Sequence, residues 1–331
     1  MQLNLLKVYK FMTRKIIAIA NPPYHEMDGG HRVSARPIYH LFIEKLMDFK
    51  IEEFLFLIPG KWFVKGKGLT KFRQRIKDCG KIKAIKHFPK ANQIFSCIEM
   101  HGGLCFLHYQ NRYSGLCLFQ NNHIQEFIDL KEFDVIVREV KSHSILRKIK
   151  AFNYQTIADV MAARNKFGLN SDHFKKNSSI SATDNRAVPC LTQARKIQYA
   201  NYQDIKRNHN LINLFKIAIP ANYGRKDRDS TLPKHQIFII PPGKICTDTY
   251  LIVSSFKTQQ EAERFQSYLQ TNFARYLLGI RKIAQHLTRE FWQFVPLIPT
   301  DILWTDKMLF EHFNLNEAEQ EHILNHVKEL S

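Results

Sequence analysis

Two short apolar runs with a helical repeat between them dominate the first sixty residues of the chain. Lys15-Ile16-Ile17-Ala18-Ile19-Ala20 ends at Asn21-Pro22-Pro23, and Phe54-Leu55-Phe56-Leu57-Ile58 is stopped by Pro59-Gly60. Runs of this length without polar alternation suit strands buried on both faces, as in a parallel sheet. Between them Ile38, Leu41, Phe42, Leu46 and Phe49 recur at helical spacing. Pro37 suits the first helical turn, with Ser34 nearby as a cap. Strand, helix and strand in this order predict a βαβ unit and so an α/β fold.

Residues 69–78 read as a short basic helix and 82–88 as a strand. The apolar runs 103–109 and 116–119, joined by a turn with Ser114-Gly115, predict an antiparallel hairpin at the end of the sheet. Phe133-Asp134-Val135-Ile136-Val137 is the last strand expected of this region. From about residue 165 the texture changes: 170–186 and 222–235 are polar stretches, 237–240 and 250–253 are strand-like, and 260–284 and 307–329 are helical. The chain therefore reads as a βαβ-based sheet with a terminal hairpin, followed by a mixed α+β region, the boundary falling at 120–170.

The charge balance narrows the partners. With 49 Lys and Arg against 30 Asp and Glu, the net charge is +19, which favours polyanions: nucleic acid first, an anionic membrane surface second. No apolar stretch approaches the ~20 residues needed to span a bilayer. The apolar N-terminus is broken by Lys7, Lys10, Arg14 and Lys15, unlike a signal peptide. Cys79, Cys97, Cys105, Cys117, Cys190 and Cys246 form no C-x-x-C pair, so they read as buried free thiols of a reducing compartment, and no metal site is expected. These features predict a cytoplasmic protein with no membrane partner.

Asn21-Pro22-Pro23-Tyr24 stands where chemistry is expected, at the carboxyl end of a strand of an open α/β sheet. An exocyclic amine is a poor nucleophile because its lone pair is delocalised into the ring. Two acceptors aimed at the amine hydrogens hold the nitrogen in a more tetrahedral form. The Asn21 side-chain oxygen and the Pro22 carbonyl are those acceptors, and proline brings no competing N–H. The two prolines fix φ, and Pro22 also restricts Asn21 to extended conformations, so the acceptors are set before substrate arrives. Tyr24 offers a ring face to a flipped-out base and offsets part of the unstacking cost. Methyl transfer from a sulfonium donor then needs in-line placement more than a strong base.

With these residues in view, the chain resembles the adenine-specific DNA methyltransferases of bacterial restriction–modification systems. The resemblance rests on Asn-Pro-Pro-Tyr at 21–24, Asp28-Gly29-Gly30, Ser34-Ala35-Arg36-Pro37-Ile38-Tyr39-His40 and Leu57-Ile58-Pro59-Gly60-Lys61-Trp62. It continues through Gly66-Lys67-Gly68-Leu69, Gly102-Gly103-Leu104-Cys105-Phe106-Leu107 and Phe167-Gly168-Leu169. Near the C-terminus come Pro242-Gly243-Lys244-Ile245-Cys246-Thr247, Phe294-Val295-Pro296 and Trp304-Thr305-Asp306. It is patchy across 170–235, and only the tetrapeptide is specific to amino-group methylation. His25 stands where the family usually carries Gln.

The resemblance implies a partial Rossmann-like methyltransferase sheet. It makes residues 1–150 the C-terminal half of a catalytic domain, 165–300 a DNA target-recognition domain and 301–331 a helical segment. It implies catalysis by Asn21, Pro22, Pro23 and Tyr24. A second aromatic sandwiching the adenine is expected at Phe95, with Phe88 as the fallback. Phosphate contacts are expected from Arg225, Lys226 and Arg228.

The donor implied is S-adenosylmethionine, whose glycine-rich strand and loop normally precede the tetrapeptide. Only 20 residues precede it here, and Gly66-Lys67-Gly68 lacks a third glycine, so no donor-binding residue is assigned. A broken gene, a mis-assigned start or a separate chain supplying that half would each account for this. Duplex DNA and a restriction endonuclease are the other implied partners. Two alternatives stay open: a non-catalytic DNA-binding specificity fragment, and a methyltransferase of RNA adenine. A similar tetrapeptide also serves protein-glutamine methylation, which the basic C-terminal region argues against.

Overall fold

The fold is seen in a computed structural model. It describes residues 15–26, 36–66, 68–96, 100, 102–121, 123–161, 164–177, 179–223, 232–281 and 287–327. The chain divides into two compact units, residues 1–140 and 141–331.

The first unit holds β1 (Ile17–Ala20), α1 (Tyr39–Asp48), β2 (Glu53–Pro59), α2 (Thr70–Asp78), β3 (Ile82–Phe88), β4 (Leu104–Gln110), β5 (Cys117–Asn121) and β6 (Ile124–Ile128). They form one mixed six-stranded sheet in the order β1-β2-β4-β3-β5-β6. The expected βαβ unit is present: β1 pairs parallel to β2, from Ile17 opposite Glu53 to Ala20 opposite Phe56. The sheet's core includes Phe54, Ile58, Ile85 and Leu107, and Tyr39, Ile43, Phe72 and Ile76 of α1 and α2 are buried with it. Burying such side chains stabilises by about 1.5–3 kcal/mol each.

Four local expectations need correction. β1 is not buried on both faces. It pairs only with β2 among the described residues, and Ile17 and Ile19 are 55% and 77% exposed. β4 and β5 do not form a hairpin. The seven residues of β4 pair with β2 on one side and β3 on the other, which leaves no edge for β5. β5 instead lies parallel to β3 and turns into β6, Asn121 facing Ile124 across the terminal hairpin. Residues 133–137 are no strand. Val135, Ile136 and Val137 are buried in irregular backbone, the Ile136 N–H donating to the Phe63 carbonyl at 2.9 Å. Finally, α1 starts at Tyr39, because Pro37 is held in an antiparallel bridge with His25. Ser34 lies outside the described residues.

The second unit opens with α3 (Val140–Ala151) and the single turns α4 (Ile157–Val160) and α5 (His173–Lys176). Its strands are β7 (Ala187–Leu191), β8 (Ile197–Asn201), β9 (Phe215–Pro220), β10 (Phe238–Ile240), β11 (Ile245–Cys246) and β12 (Tyr250–Phe256). They form two three-stranded sheets, β10-β9-β12 and β11-β7-β8. Cys190, Ala200, Ala218, Ile240, Ile245 and Ile252 bring both sheets into one core with Phe167 and Leu169.

The long helices expected at 260–284 and 307–329 are each two. α6 (Gln259–Gln270) and α7 (Asn272–Arg281) are separated by Thr271, extended at ψ 153, whose hydroxyl donates to the Tyr268 carbonyl. α8 (Asp306–His312) and α9 (Glu317–His326) are separated by Asn314 at φ 52, and Asn316 restarts the helix by accepting from the Glu319 N–H at 2.9 Å. Asn and Thr at these breaks offer the backbone local hydrogen bonds that compete with helix continuation.

Cys105, Cys117, Cys190 and Cys246 are buried free thiols and Cys79 is half-buried; Cys97 lies outside the described residues. Among the described residues no helix is long and apolar enough to cross a membrane.

Candidate active site

β1 delivers the tetrapeptide to the carboxyl end of the sheet. Asn21 is exposed, Pro22 buried, Pro23 exposed and Tyr24 half-buried. Neither the Asn21 side chain nor the Pro22 carbonyl accepts a hydrogen bond from a described residue. The Tyr24 carbonyl, in contrast, is taken by the Ile38 N–H at 3.1 Å, and the Glu26 N–H donates to the Arg36 carbonyl at 3.0 Å. With the His25–Pro37 bridge, these bonds clip the loop after β1 to the start of α1. The two oxygens proposed to grip an amine are thus unclaimed, and the backbone just beyond them is anchored.

Tyr24 rests on a small apolar cluster of Leu57, Ala91 and Leu104. Phe95 packs on the same cluster, as do Ile94, Met100 and Phe106. Phe95 is held there by a 3-10 turn, Ala91–Gln93, its N–H donating to the Ala91 carbonyl at 3.0 Å. The fold therefore brings Tyr24 and Phe95 to one shelf across 71 residues of sequence. Phe88 pairs with Leu104 of the cluster in the ladder, and its ring meets Phe106 edge-to-face at 5.7 Å.

Glycines draw the strand ends together beside this shelf. The Gly60 N–H donates to the Gly103 carbonyl at 2.8 Å. A Cβ at Gly60 would lie 2.4 Å from the Gly102 oxygen, and one at Gly103, where φ is +67°, only 2.0 Å from the Phe88 oxygen. His87 adds a further tie. Its Nε2 lies 3.0 Å from the Gly102 carbonyl and its Nδ1 3.1 Å from the Asn121 amide nitrogen. A carbonyl only accepts, so Nε2 carries the proton and Nδ1 accepts. Burial drives the His87 pKa down to about 4, which keeps the ring neutral.

Four titratable groups with shifted pKa values are described around Tyr24. Burial, and then the nearby Cys105 thiol, raise the Tyr24 hydroxyl above its ordinary pKa. Tyr39 behind it is raised for the same two reasons. Burial pushes Cys105 up to about 12. His40 is lowered by burial first and by Arg36 second. All four groups are neutral near pH 7. Near pH 7 these four groups can orient a ring or an amine but take up no proton readily.

Tyr39 and the His87–Asn121 pair were not singled out as functional positions by the sequence. Tyr39 stands in the stretch 34–40 that carries the resemblance, yet nothing in its spacing points to Tyr24. Arg225, Lys226 and Arg228 lie outside the described residues.

Comparison with known proteins names the region just described. Residues 16–95 match the Eco57I restriction-modification methylase family. The matched segment runs from the start of β1 to Phe95, so it covers the tetrapeptide and both shelf aromatics. Over 105 residues the chain is also 30% identical to an uncharacterized adenine-specific methylase of Mycoplasma pneumoniae, a match covering 31% of this chain. The match spans about a quarter (25%) of that relative's length. The resemblance to adenine methylases of restriction–modification systems is borne out.

Two solved structures are similar at 10% identity: the type IIG restriction endonuclease BpuSI and a chain of a type I restriction–modification system. The BpuSI match has a TM-score of 0.36 and covers 90% of this chain and 45% of that one. The other has a TM-score of 0.26 and covers 41% and 30%. At such scores neither bears on the argument.

Proposed function

We propose that this Eco57I-like chain takes part in methylating the N6 amino group of adenine in duplex DNA, as the modification activity of a restriction–modification system. The observation that carries the reading is the pair of unclaimed oxygens, on Asn21 and Pro22, beside a shelf bearing Tyr24 and Phe95. We also read the β1-α1-β2 unit as part of a Rossmann-like methyltransferase sheet and residues 165–300 as the target-recognition region. Phosphate contacts by Arg225, Lys226 and Arg228 belong to that reading.

In this mechanism the adenine leaves the duplex and lies between the rings of Tyr24 and Phe95. Stacking of this kind is worth about 1–3 kcal/mol per base, enough to offset much of the few kcal/mol of unstacking. Asn21 Oδ1 and the Pro22 carbonyl accept hydrogen bonds from the two N6 hydrogens and favour a more tetrahedral nitrogen, whose lone pair is less delocalised into the ring. When bound, S-adenosylmethionine would supply an electrophilic methyl group to N6, its sulfur leaving as a neutral thioether. Amide oxygens are too weakly basic to keep the proton that N6 then sheds. It leaves by way of the exposed Asn21 side chain to water. We assign no residue of this chain to holding the donor.

The test incubates the purified chain, alone and with the product of any reading frame directly upstream, with labelled S-adenosylmethionine and duplex DNA or RNA. Label in DNA adenine is expected. DNA retained without label in every arm would favour the specificity-fragment reading instead. Label in RNA alone would overturn the DNA assignment.

A further inference from the structure

Between Phe54 and Ile98 the chain carries eleven Lys and Arg, at 61, 65, 67, 71, 73, 75, 77, 81, 83, 86 and 90, and a single carboxylate, Asp78. Some of these cations are committed within the fold. Arg75 pairs with Asp48, Lys77 donates to the Phe133 carbonyl, and Lys81 donates to Asn111. Lys61, Lys86 and Lys90 are exposed and make neither an ion pair nor a side-chain hydrogen bond with a described residue.

Topology gathers those three at the same end of the sheet as the active site. β2 and β3 both run antiparallel to β4, and Pro59 and Phe88 both pair with Leu104. Lys61 follows the carboxyl end of β2 and Lys90 that of β3, on either side of the cluster of Leu57, Ala91 and Leu104 that seats Tyr24 and Phe95. The two strand ends are two sheet spacings, about 10 Å, apart. That is comparable with the advance of about three nucleotides along one DNA strand. Lys86 lies one pleat back, its ammonium 5.5 Å from the ring centroid of Phe88, which in turn meets Phe106 of the shelf.

We propose that Lys61 and Lys90, supported by Lys86, form a phosphate-contact track on the catalytic unit itself, gripping the DNA strand on both sides of the extruded nucleotide. The proposal rests on the adenine-methylation reading and adds to it a second DNA surface, distinct from residues 225–228. Its role is positional. An extruded nucleotide can hold its place on the shelf only if the backbone flanking it is pinned. Lysine ammonium groups do this without reading sequence, because a phosphate contact carries charge and no base identity. The track should therefore act alike on cognate and unrelated duplexes.

The experiment measures binding of fluorescein-labelled duplex DNA to the full chain by anisotropy between 0.05 and 0.3 M salt, values of about the range in which counterion release is readable. Each phosphate contact contributes about 0.9 to the slope of log K against log salt, which corresponds to about eightfold in affinity at 0.1 M. Lys61→Gln and Lys90→Gln are each expected to lower the slope by about 0.9, and the double variant by about twice that. The losses should be equal on a scrambled duplex. Lys83→Gln is the control: Lys83 is also exposed on β3, but near the strand's opposite end, and its variant should keep the full slope. Melting curves report whether each variant folds. If the slope stays whole in the double variant while the unaltered chain binds DNA, the track is overturned and the methylation reading stands. A Lys83→Gln loss equal to the others overturns it too, by showing diffuse charge. If the unaltered chain binds no DNA, both readings fall.

Discussion

Tyr39 meets Tyr24 edge-to-face, with ring centroids 6.5 Å apart and planes at 83°. Tyr39 is itself 1% exposed and meets Phe72 at 6.3 Å, so the ring of Tyr24 is backed by the packed start of α1. Its hydroxyl has no hydrogen-bond partner among the described residues. A buried hydroxyl without a partner contributes a desolvation cost and no bond. Tyr39→Phe is therefore expected to leave stability unchanged or raise it by up to about 1 kcal/mol, while Tyr39→Ala lowers it by about 3–5 kcal/mol. Urea unfolding of the two variants separates them. A substantial loss in Tyr39→Phe would show that the hydroxyl is bonded after all.

At the tetrapeptide the two proposed acceptors predict a separation of activity from stability. Asn21 is exposed and makes no side-chain hydrogen bond with a described residue, so Asn21→Ala should melt within about 1 °C of the parent, since surface substitutions usually stay within ±0.5 kcal/mol. Its methyl-transfer rate should fall about 100-fold or more, as when one preorganised polar group is lost from a transition-state cradle. Label incorporation in the competent assembly checks the rate, and calorimetry checks the melt.

Tyr24 should divide differently. Its hydroxyl is held neutral by burial and serves no proton transfer, so Tyr24→Phe keeps most activity. Tyr24→Ala removes the stacking face and should weaken capture of the flipped base by about 1–3 kcal/mol, on the order of 5- to 150-fold. The signal of 2-aminopurine at the target position follows that capture directly. An unaltered signal in Tyr24→Ala would show that the ring does not stack on the base.

His87 predicts an acid weakness of the first unit. Burial lowers its folded pKa to about 4, below the unfolded value of 6.5. The unfolded chain therefore binds the extra proton first as pH falls. The stabilising contribution is fully present above about pH 6.5 and is lost on descent toward about pH 4. The span corresponds to roughly 3 kcal/mol. Unfolding midpoints at pH 7 and 4.5 should diverge more for the parent than for His87→Gln. Equal divergence would show that other groups carry the acid sensitivity.

Lys216 is a buried cation that pairs with no carboxylate among the described residues. Its three N–H donors are shared among the carbonyls of Leu211, Ile212, Leu214 and Pro241, at 3.1, 2.9, 2.7 and 3.2 Å from the nitrogen. Burial lowers its pKa to about 8, so it remains largely charged at neutrality. Lys216→Met keeps the bulk and removes the donors, and some of these carbonyls hold other N–H partners. A loss of about 2 kcal/mol is expected, with unfolding confined to the second unit. A more stable variant would mean that desolvating the charge outweighs its bonds.

How much was legible in advance follows the range of the forces involved. The βαβ unit was readable because Ile16–Ala20, Phe54–Ile58 and the repeat from Ile38 to Phe49 each declare themselves over a few residues. The place of the tetrapeptide was readable because it directly follows an apolar run that forms β1. The hairpin assigned to 103–119 failed for the opposite reason. Pairing is a contest among strands, and β4 is claimed on both sides by β2 and β3, which no local pattern of Leu104–Gln110 reveals. The exposure of Ile17 and Ile19 was missed likewise, since an edge strand and a central one can share a composition.

By itself, the sequence determined the elements with strong local signals, the basic character of the chain, and the position of Asn21-Pro22-Pro23-Tyr24 at the end of a strand. These properties depend on backbone preferences and side-chain chemistry within a turn or a strand. Only the tertiary structure decided that Phe95 shares a shelf with Tyr24, that Tyr39 backs it, and that Lys61 and Lys90 flank it. Each of those relations joins residues tens of positions apart, and their distance is set by strand order, a property of the whole sheet.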